Sequence, residues 1–284
     1  MRLPLPDIQL KIISWNIAQS QKAWHYLPES DADIALLQEA PRPPSDLPKE
    51  IQVDDTPWKT GSKDSNRQWR AAVVKLSSRV NVEWLEPKTI EDAKGGELAV
   101  SRPGSLAAAK VTDRNTGNDF YVASMYSTWE RPLNEIDSGW IYADASAHRI
   151  LSDLSVLIGR QKNHRIIAAG DLNILKGYGE HGSSYWGERY NSVFEPANSL
   201  GLPYIGPMAP HGRQADPWPK ELPPSIKNVP TYHTRQQSPS TATRQLDFVF
   251  ASRSISDKVK MEARNDPVAW GPSDHCRLEI ELQL

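Results

Sequence analysis

Several short stretches of this chain set an oxygen-bearing or imidazole side chain at the end of an apolar run. Asn16 follows Ile12-Ile13-Ser14-Trp15, and Gln38-Glu39 follows Ile34-Ala35-Leu36-Leu37. Tyr126 closes Val122-Ala123-Ser124-Met125, while Asp171 and Asn173 come just after Ile166-Ile167-Ala168-Ala169-Gly170. Asp247 sits at the start of Leu246-Asp247-Phe248-Val249-Phe250, and Asp274-His275 precedes the run that begins at Cys276. A sheet protein collects its reactive groups at strand ends, because the scaffold fixes them there. Most of these side chains are oxygen donors, a set suited to Mg2+ or Mn2+ more than to zinc. A hard cation beside a carboxylate and an imidazole fits the hydrolysis of an anionic ester. The cation and hydrogen-bond donors offset the ester's charge, and a base or metal activates water. An Asp that fixes a His tautomer also favours the charged imidazole.

The elements that must hold these groups are mostly strands. Apolar runs rich in β-branched residues predict strands over residues 10–15, 33–38, 71–76, 80–84, 105–112, 120–126, 165–169, 246–251, 258–263 and 276–282. Val80-Asn81-Val82-Glu83-Trp84 alternates and implies one wet face, whereas Ile166-Ile167-Ala168-Ala169 is apolar throughout and implies burial on both faces. Helices are fewer. Ala147, Ile150, Leu151, Leu154 and Ile158 recur at helical spacing within 143–158, and 189–200 is a second helix ended by Gly201. A short turn of helix is expected near 24–27. Two regions, 41–66 and 176–244, are rich in Pro, Gly and polar residues and read as loops. Many strands with few helices point to two sheets packed face to face with helices outside.

Taken together, the motifs resemble those of the endonuclease/exonuclease/phosphatase superfamily, which includes DNase I-like and abasic-endonuclease-like enzymes. The likeness rests on an ordered series: Ser14-Trp15-Asn16, Leu37-Gln38-Glu39, Gly170-Asp171-Leu172-Asn173, Leu246-Asp247-Phe248 and Ser273-Asp274-His275. It runs from near the first strand to near the last. The resemblance implies an α/β four-layer sandwich, with two mostly antiparallel sheets packed face to face and the site at one edge. It implies that Glu39 is the principal metal carboxylate, with Asn16 beside it and Asp274 nearby, holding Mg2+ or Mn2+. Asp171 matches the residue that positions or deprotonates the attacking water, and Asn173 one that helps hold the phosphate. His275 matches a phosphate-contacting or proton-shuttling histidine, Asp247 the carboxylate that orients it, and Tyr126 a donor to the phosphate. Arg70 stands where many members keep an arginine. The segment 176–230 follows no subgroup pattern, so the substrate does not carry over. Pro230-Thr231-Tyr232 does resemble the usual approach to the Leu-Asp strand.

Each residue has a plainer reading when taken singly. Asp171 and Asn173 suit an ordinary turn, Asp247 a buried structural acid, and His275 a strand histidine. The ten tryptophans are first of all packing residues. Trp129, Trp186, Trp218 and Trp270 fall in expected loops near the motifs, and the first, second and last are carried as candidate substrate contacts that stack on a base. His181, His211 and His233 lie in the insert and are candidate ligands or substrate contacts. Glu130-Arg131 and Arg235 read as solvated charges.

Composition narrows the field further. The 284 residues suit one sandwich domain spanning 1–284 with a loop-rich insert at about 176–244. Net charge is −2, which disfavours tight non-specific gripping of duplex nucleic acid but permits brief visits with a metal offsetting charge. The single cysteine, Cys276, rules out an intramolecular disulfide and lacks the spacing of a cysteine-phosphatase loop. No apolar run nears the ~20 residues of a membrane helix, so a cytoplasmic location is expected, with no obligate protein partner. The leading expectation is a metal-dependent nuclease acting on DNA or RNA by activated water. The alternatives are a phosphatase or phosphodiesterase on a small phosphate ester or lipid headgroup, and a binding module with a decayed site.

Overall fold

A computed structural model of the protein describes residues 9–60, 67–130, 141–159 and 163–284. The chain start (1–8), the end of the 41–66 loop and Arg131 lie outside the described residues. The first sheet holds β1 (Leu10–Asn16), β2 (Ile34–Pro41), β3 (Gln52–Val53), β4 (Trp69–Lys75), β11 (Val259–Ala263) and β12 (Leu278–Leu282), in the order β11-β12-β1-β2-β4-β3. The second holds β5 (Val80–Leu85), β6 (Leu106–Asp113), β7 (Asp119–Tyr126), β8 (Ile166–Asp171), β9 (Tyr204–Gly206) and β10 (Asp247–Ala251), in the order β5-β6-β7-β8-β10-β9.

Each sheet has one parallel pair among antiparallel neighbours: β1 beside β2, and β7 beside β8. Parallel neighbours cannot be joined by a tight hairpin and need a crossover. Helix α1 (Gln21–Tyr26) lies in the first crossover and α2 (Ala143–Ile158) in the second. The strands' period-2 alternation then builds the layers. Leu10, Ile12, Ile34, Leu36, Ala71 and Val73 face Ala109, Val111, Val122, Ile167 and Val249 of the other sheet. The alternate residues of the first sheet, Ile13, Trp15, Ala35, Leu37 and Val74, pack with Ala23 and Trp24 of α1. Those of the second, Ala123, Met125, Ile166, Ala168, Phe248 and Phe250, pack with Ile150 and Leu154 of α2 and with Val193 and Ala197 of α3 (Ser184–Ser199). Burial of central strands on both faces is why their sequences read as continuous apolar runs. The result is the expected four-layer α/β sandwich.

The expected strands are present with shifts of one to three residues at their ends, the largest at the end of β2. Strands β3 and β9, of two and three residues, were too short to carry a pattern. Helix α3 starts five residues before the expected 189, because Ser183 caps it by accepting from the Trp186 N–H at 3.4 Å. Gly201 follows the helix with φ +81°, as expected for a C-terminal glycine. The 176–244 insert therefore carries a 16-residue helix and a strand within its loops. Among the described residues, no helix is long and apolar enough to cross a membrane.

Gly170 is fixed by the β7–β8 pairing. Its φ is +153°, and a Cβ there would stand 1.9 Å from the Met125 carbonyl oxygen on β7. Gly170→Ala is expected to push β7 and β8 apart next to Asp171 and to cost at least the ~1–3 kcal/mol typical of overpacking. Urea denaturation of the variant checks this, and an unchanged midpoint would show that the close approach is not real.

Candidate active site

The C-terminal ends of both parallel pairs meet at one edge of the sandwich. Asn16, at the end of β1, donates its Nδ2 to Asp171 Oδ2 at the end of β8 at 2.9 Å. The same amide faces Glu39 Oε1 at 3.5 Å. Glu39 lies where the β2–β4 register slips between Leu37 and Ala40, and its φ is +47°. Such a bulge re-aims a side chain that regular pleating would send elsewhere. Just before it, Gln38 Nε2 donates to Ser124 Oγ on β7 at 2.9 Å, and that hydroxyl donates to the Leu37 carbonyl at 2.7 Å. This buried link ties the two sheets together beside the site.

Asp171 is buried and surrounded by donors. Its Oδ1 accepts from the Asn173 backbone N–H at 2.8 Å, and its Oδ2 from Asn173 Nδ2 at 3.0 Å. Asn173 takes a left-handed conformation, φ +51°, and its amide also donates to the Ser127 carbonyl at 2.8 Å. His275 Nδ1 bonds Asp247 Oδ2 at 2.8 Å, and its Nε2 stands 3.8 Å from Asp171 Oδ2. The imidazole thus bridges two carboxylates, with the Asp247 side fixing its orientation.

The backbone around His275 is clamped from three directions. Trp15 Nε1 donates to the His275 carbonyl at 2.9 Å, and Ser273 Oγ to the Asn16 carbonyl at 2.6 Å. Thr231 Oγ accepts from the Leu246 and Asp247 N–H groups, while the Thr231 carbonyl accepts from Cys276 N at 2.9 Å. Thr231 therefore sets the spacing between Asp247 and His275. The Tyr232 ring covers His275, with centroids 4.9 Å apart.

Electrostatics follow from this packing. Burial, reinforced by Asp247 and Glu39, pushes the Asp171 carboxyl up to about 7, against the pull of His275 and the Asn173 N–H. Burial works against charge on His275 too, but the Asp247 and Asp171 carboxylates outweigh it and hold the imidazole at about 10. The Tyr126 hydroxyl is raised by burial and by the nearby Glu39 and Asp171, so it stays a neutral donor.

These groups form the floor of a cleft of about 1230 Å³. Glu39, Tyr126, Asp171, Asn173, Asp274 and His275 line it directly. The insert lines it as well, with Glu180, His181, Ser183, Trp186 and Tyr190 from its first part and the stretch from Tyr232 to Arg235 and Arg244 from its last. Trp129, 52% exposed, stands at the cleft as well. Of the insert histidines singled out in the sequence, His181 and His233 line the cleft and His211 does not. Arg235, expected to be a solvated charge, reaches Asp274 at 3.4 Å.

Two candidate substrate contacts stand apart. Arg70 is buried away from the cleft, paired with Asp54 at 2.9 Å and stacked 4.1 Å over Trp58. A buried guanidinium needs a carboxylate partner, and Asp54 supplies it within the fold. Trp270 is 1% exposed, packed in the intersheet core with its ring edge-on to His233. The sequence placed it near a motif, but its apolar bulk is buried with the core. Trp218 does not line the cleft either.

The donor set bears on the metal expectation. Glu39, Asp171, Asp247 and Asp274 gather here, with His275 and Arg235 as the cations in contact with them. The Glu39 carboxylate is met by the Tyr126 hydroxyl and by the long contact from Asn16, both neutral donors. Such an excess of poorly neutralised carboxylate fits a hard cation. Among the described residues, no group of three or more His, Cys, Asp or Glu side chains is arranged to enclose a metal ion. An ion like Mg2+ takes only one or two carboxylates and leaves other positions to water and phosphate, so it would not need such a cluster. Glu39 and Asp274 are the carboxylates available for it. Asn16 presents its Nδ2 to the carboxylates, while its Oδ1 accepts from the Ala18 N–H at 3.0 Å. In this arrangement it orients Asp171 and Glu39 and does not offer an oxygen to an ion.

Two six-stranded sheets packed face to face with helices outside give the chain the fold of known endonuclease/exonuclease/phosphatase proteins. The chain superposes on the AP endonuclease LMAP from Leishmania major with a TM-score of 0.65 at 15% identity, over 97% of this chain and 88% of that one. The endonuclease domain of TRAS1, a telomere-specific non-LTR retrotransposon, gives 0.59 at 16% identity, over 97% and 99%. A mannosyl-6-phosphatase from Bacteroides thetaiotaomicron gives 0.55 at 15% identity, over 97% and 100%. No family sequence model matches the chain, and no curated protein sequence matches it.

The Asp247 carboxylate is a main cause of the raised His275 affinity for a proton, so Asp247→Asn should lower it. The sign is then fixed: the charged imidazole, kept in the native protein until the pH rises through about 10, should be lost closer to neutrality. An NMR titration of the His275 ring reads this directly. An unchanged titration would mean that Asp247 does not hold the charge.

Proposed function

We propose that the protein is a Mg2+- or Mn2+-dependent phosphodiesterase that cuts DNA or RNA by attack of an activated water. The observation that carries this reading is the Asp247–His275–Asp171–Asn16 chain of contacts, which ends beside the poorly neutralised Glu39 at the floor of an open cleft. Bound at Glu39 and Asp274, the cation would offset phosphate charge and lower the pKa of water.

This chain's own residues do the rest. Asp171 is held by Asn173 and Asn16 with its proton affinity raised, so it is suited to take the proton of the attacking water. His275, charged and oriented by Asp247, donates from Nε2 to a non-bridging phosphate oxygen. Tyr126 stays protonated and supplies a second donor. Asn173 acts through Asp171, because its amide is already engaged with that carboxylate and with Ser127. Trp129 and Trp186 give the cleft apolar faces that suit an unstacked base. Fold neighbours that are named endonucleases support the nucleic-acid choice.

A second reading, hydrolysis of a small phosphate ester, draws on one feature. Arg244 makes a bidentate pair with Glu180, at 3.2 and 2.8 Å, so the two ends of the insert are tied together at the cleft. That tie confines the space above the floor and suits a compact substrate. A fold neighbour named as a sugar phosphatase is in keeping with it.

Incubation with labelled DNA, labelled RNA and a panel of small phosphate esters in Mg2+ separates the readings. Cleavage of a nucleic acid that stops on chelation supports the first, and turnover confined to the small esters moves the assignment to the second. Within whichever activity is found, Asp171→Ala should abolish turnover without changing the melting temperature. His275→Ala should slow it by about 10²–10⁴. Full activity in either variant would remove that residue from the mechanism.

A further inference from the structure

The arginines around the cleft are largely neutralised. At the cleft Arg235 meets Asp274 and Arg244 meets Glu180; away from its lining, Arg70 meets Asp54 and Arg102 meets Glu130. Arg67 differs. Among the described residues it has no carboxylate within ion-pair distance. Its hydrogen bonds go to backbone carbonyls and are long: Nε to Trp69 at 3.5 Å and Nη2 to Pro103 at 3.3 Å. Among the described residues, most of its N–H donors have no acceptor.

Its position is nonetheless well defined. The guanidinium lies 4.1 Å over the Trp69 ring and 5.9 Å from the Tyr126 ring, and those two rings meet edge to face at 4.9 Å. Tyr126 lines the cleft floor beside Glu39, and the charges nearest Arg67 include Glu39 and Arg102. Arg67, Trp69 and Tyr126 thus form a shelf leading outward from the reacting centre. The guanidinium is half-buried, and losing water disfavours its charge. An arriving anion would restore what burial takes away. A planar fork held flat on an aromatic ring, with donors to spare, is the geometry that binds phosphate in a bidentate way.

We propose that Arg67 binds the phosphate next to the one being cut, so that the substrate is an oligonucleotide with at least two phosphates. The proposal rests on the nucleic-acid reading above. It also fits a chain of net charge −2, which would engage few phosphates through placed cations and not through a basic surface.

The test is equilibrium binding of a fluorescent single-stranded oligonucleotide to the non-cutting Asp171→Asn protein in Mg2+, over about 50–200 mM salt. Adding Arg67→Gln should weaken binding and reduce the slope of log K against log salt by about 0.7, the loss of one phosphate contact on a single strand. Arg67→Lys, which keeps the charge, should retain the parent's slope. Weakened binding with an unchanged slope would mean that Arg67 serves packing, and would overturn the proposal. So would unchanged binding, and in both cases the nucleic-acid reading survives. If the parent binds no DNA or RNA and the native protein cuts none, that reading fails and the proposal with it. Circular dichroism and melting of each variant keep a folding defect from passing as a binding one.

Discussion

A carboxylate buried where two sheets meet must be held by donors from both, and Asp171 is. The second sheet supplies Asn173, through its backbone N–H and its amide, and the first sheet supplies Asn16. Without these bonds a buried charge so far from water would be costly. Much of the surrounding architecture can be understood as keeping the two sheet edges in this register. The Gln38–Ser124 link fastens β2 to β7 beneath the site, and Trp15 and Ser273 fasten the His275 segment to β1. Thr231 locks that segment to the Asp247 strand.

The same register decides the charge balance. His275 sits between Asp247 and Asp171, so its protonation answers to one carboxylate from each side. The proton affinity of Asp171 is in turn raised by burial, by Asp247 and by Glu39, and lowered by the imidazolium. Acid and base are thereby set apart by environment and not by residue type, since three of the groups are carboxylates of similar intrinsic strength. Glu39 belongs to this system without being neutralised by it. The bulge that turns Glu39 into the cleft leaves its charge facing open space and Tyr126, and a cation would balance it there.

How far this arrangement could be read from the sequence depended on whether the signal was local. Strand ends were legible because an apolar run stops where its polar residue begins. Asn16, Glu39, Tyr126, Asp171, Asn173, Asp247, Asp274 and His275 all come together at one edge, as that pattern implied. What it could not carry was direction. Arg70 stands at the start of its strand, yet its side chain turns to Asp54 and Trp58, a partner choice made by a loop with no pattern of its own. Trp270 lies only a few residues before Asp274, but volume sends it into the core. Thr231 was visible only as part of an approach to a strand, because its role is to bond two backbones that meet only in the folded chain. Ser183 is a cap for the start of α3, but the turn it opens carries no apolar periodicity of its own.

The insert is where the shared scaffold ends and selectivity begins. The sheets place the reacting groups, but they leave the cleft open on one side, and the insert builds that wall. It does so with few charges of its own. Glu180 is spent on Arg244, Arg189 on Asp144 of α2, and Trp186 stacks on Tyr190 and meets Tyr142 edge to face. A wall made this way offers a substrate flat apolar faces and little free charge. On the proposed reading, attraction to an anionic substrate would come from the floor and from Arg67 beside Tyr126. A chain with slightly more acid than base could then handle a phosphate ester, with affinity concentrated at a few placed cations and the rest of the surface free to stay neutral.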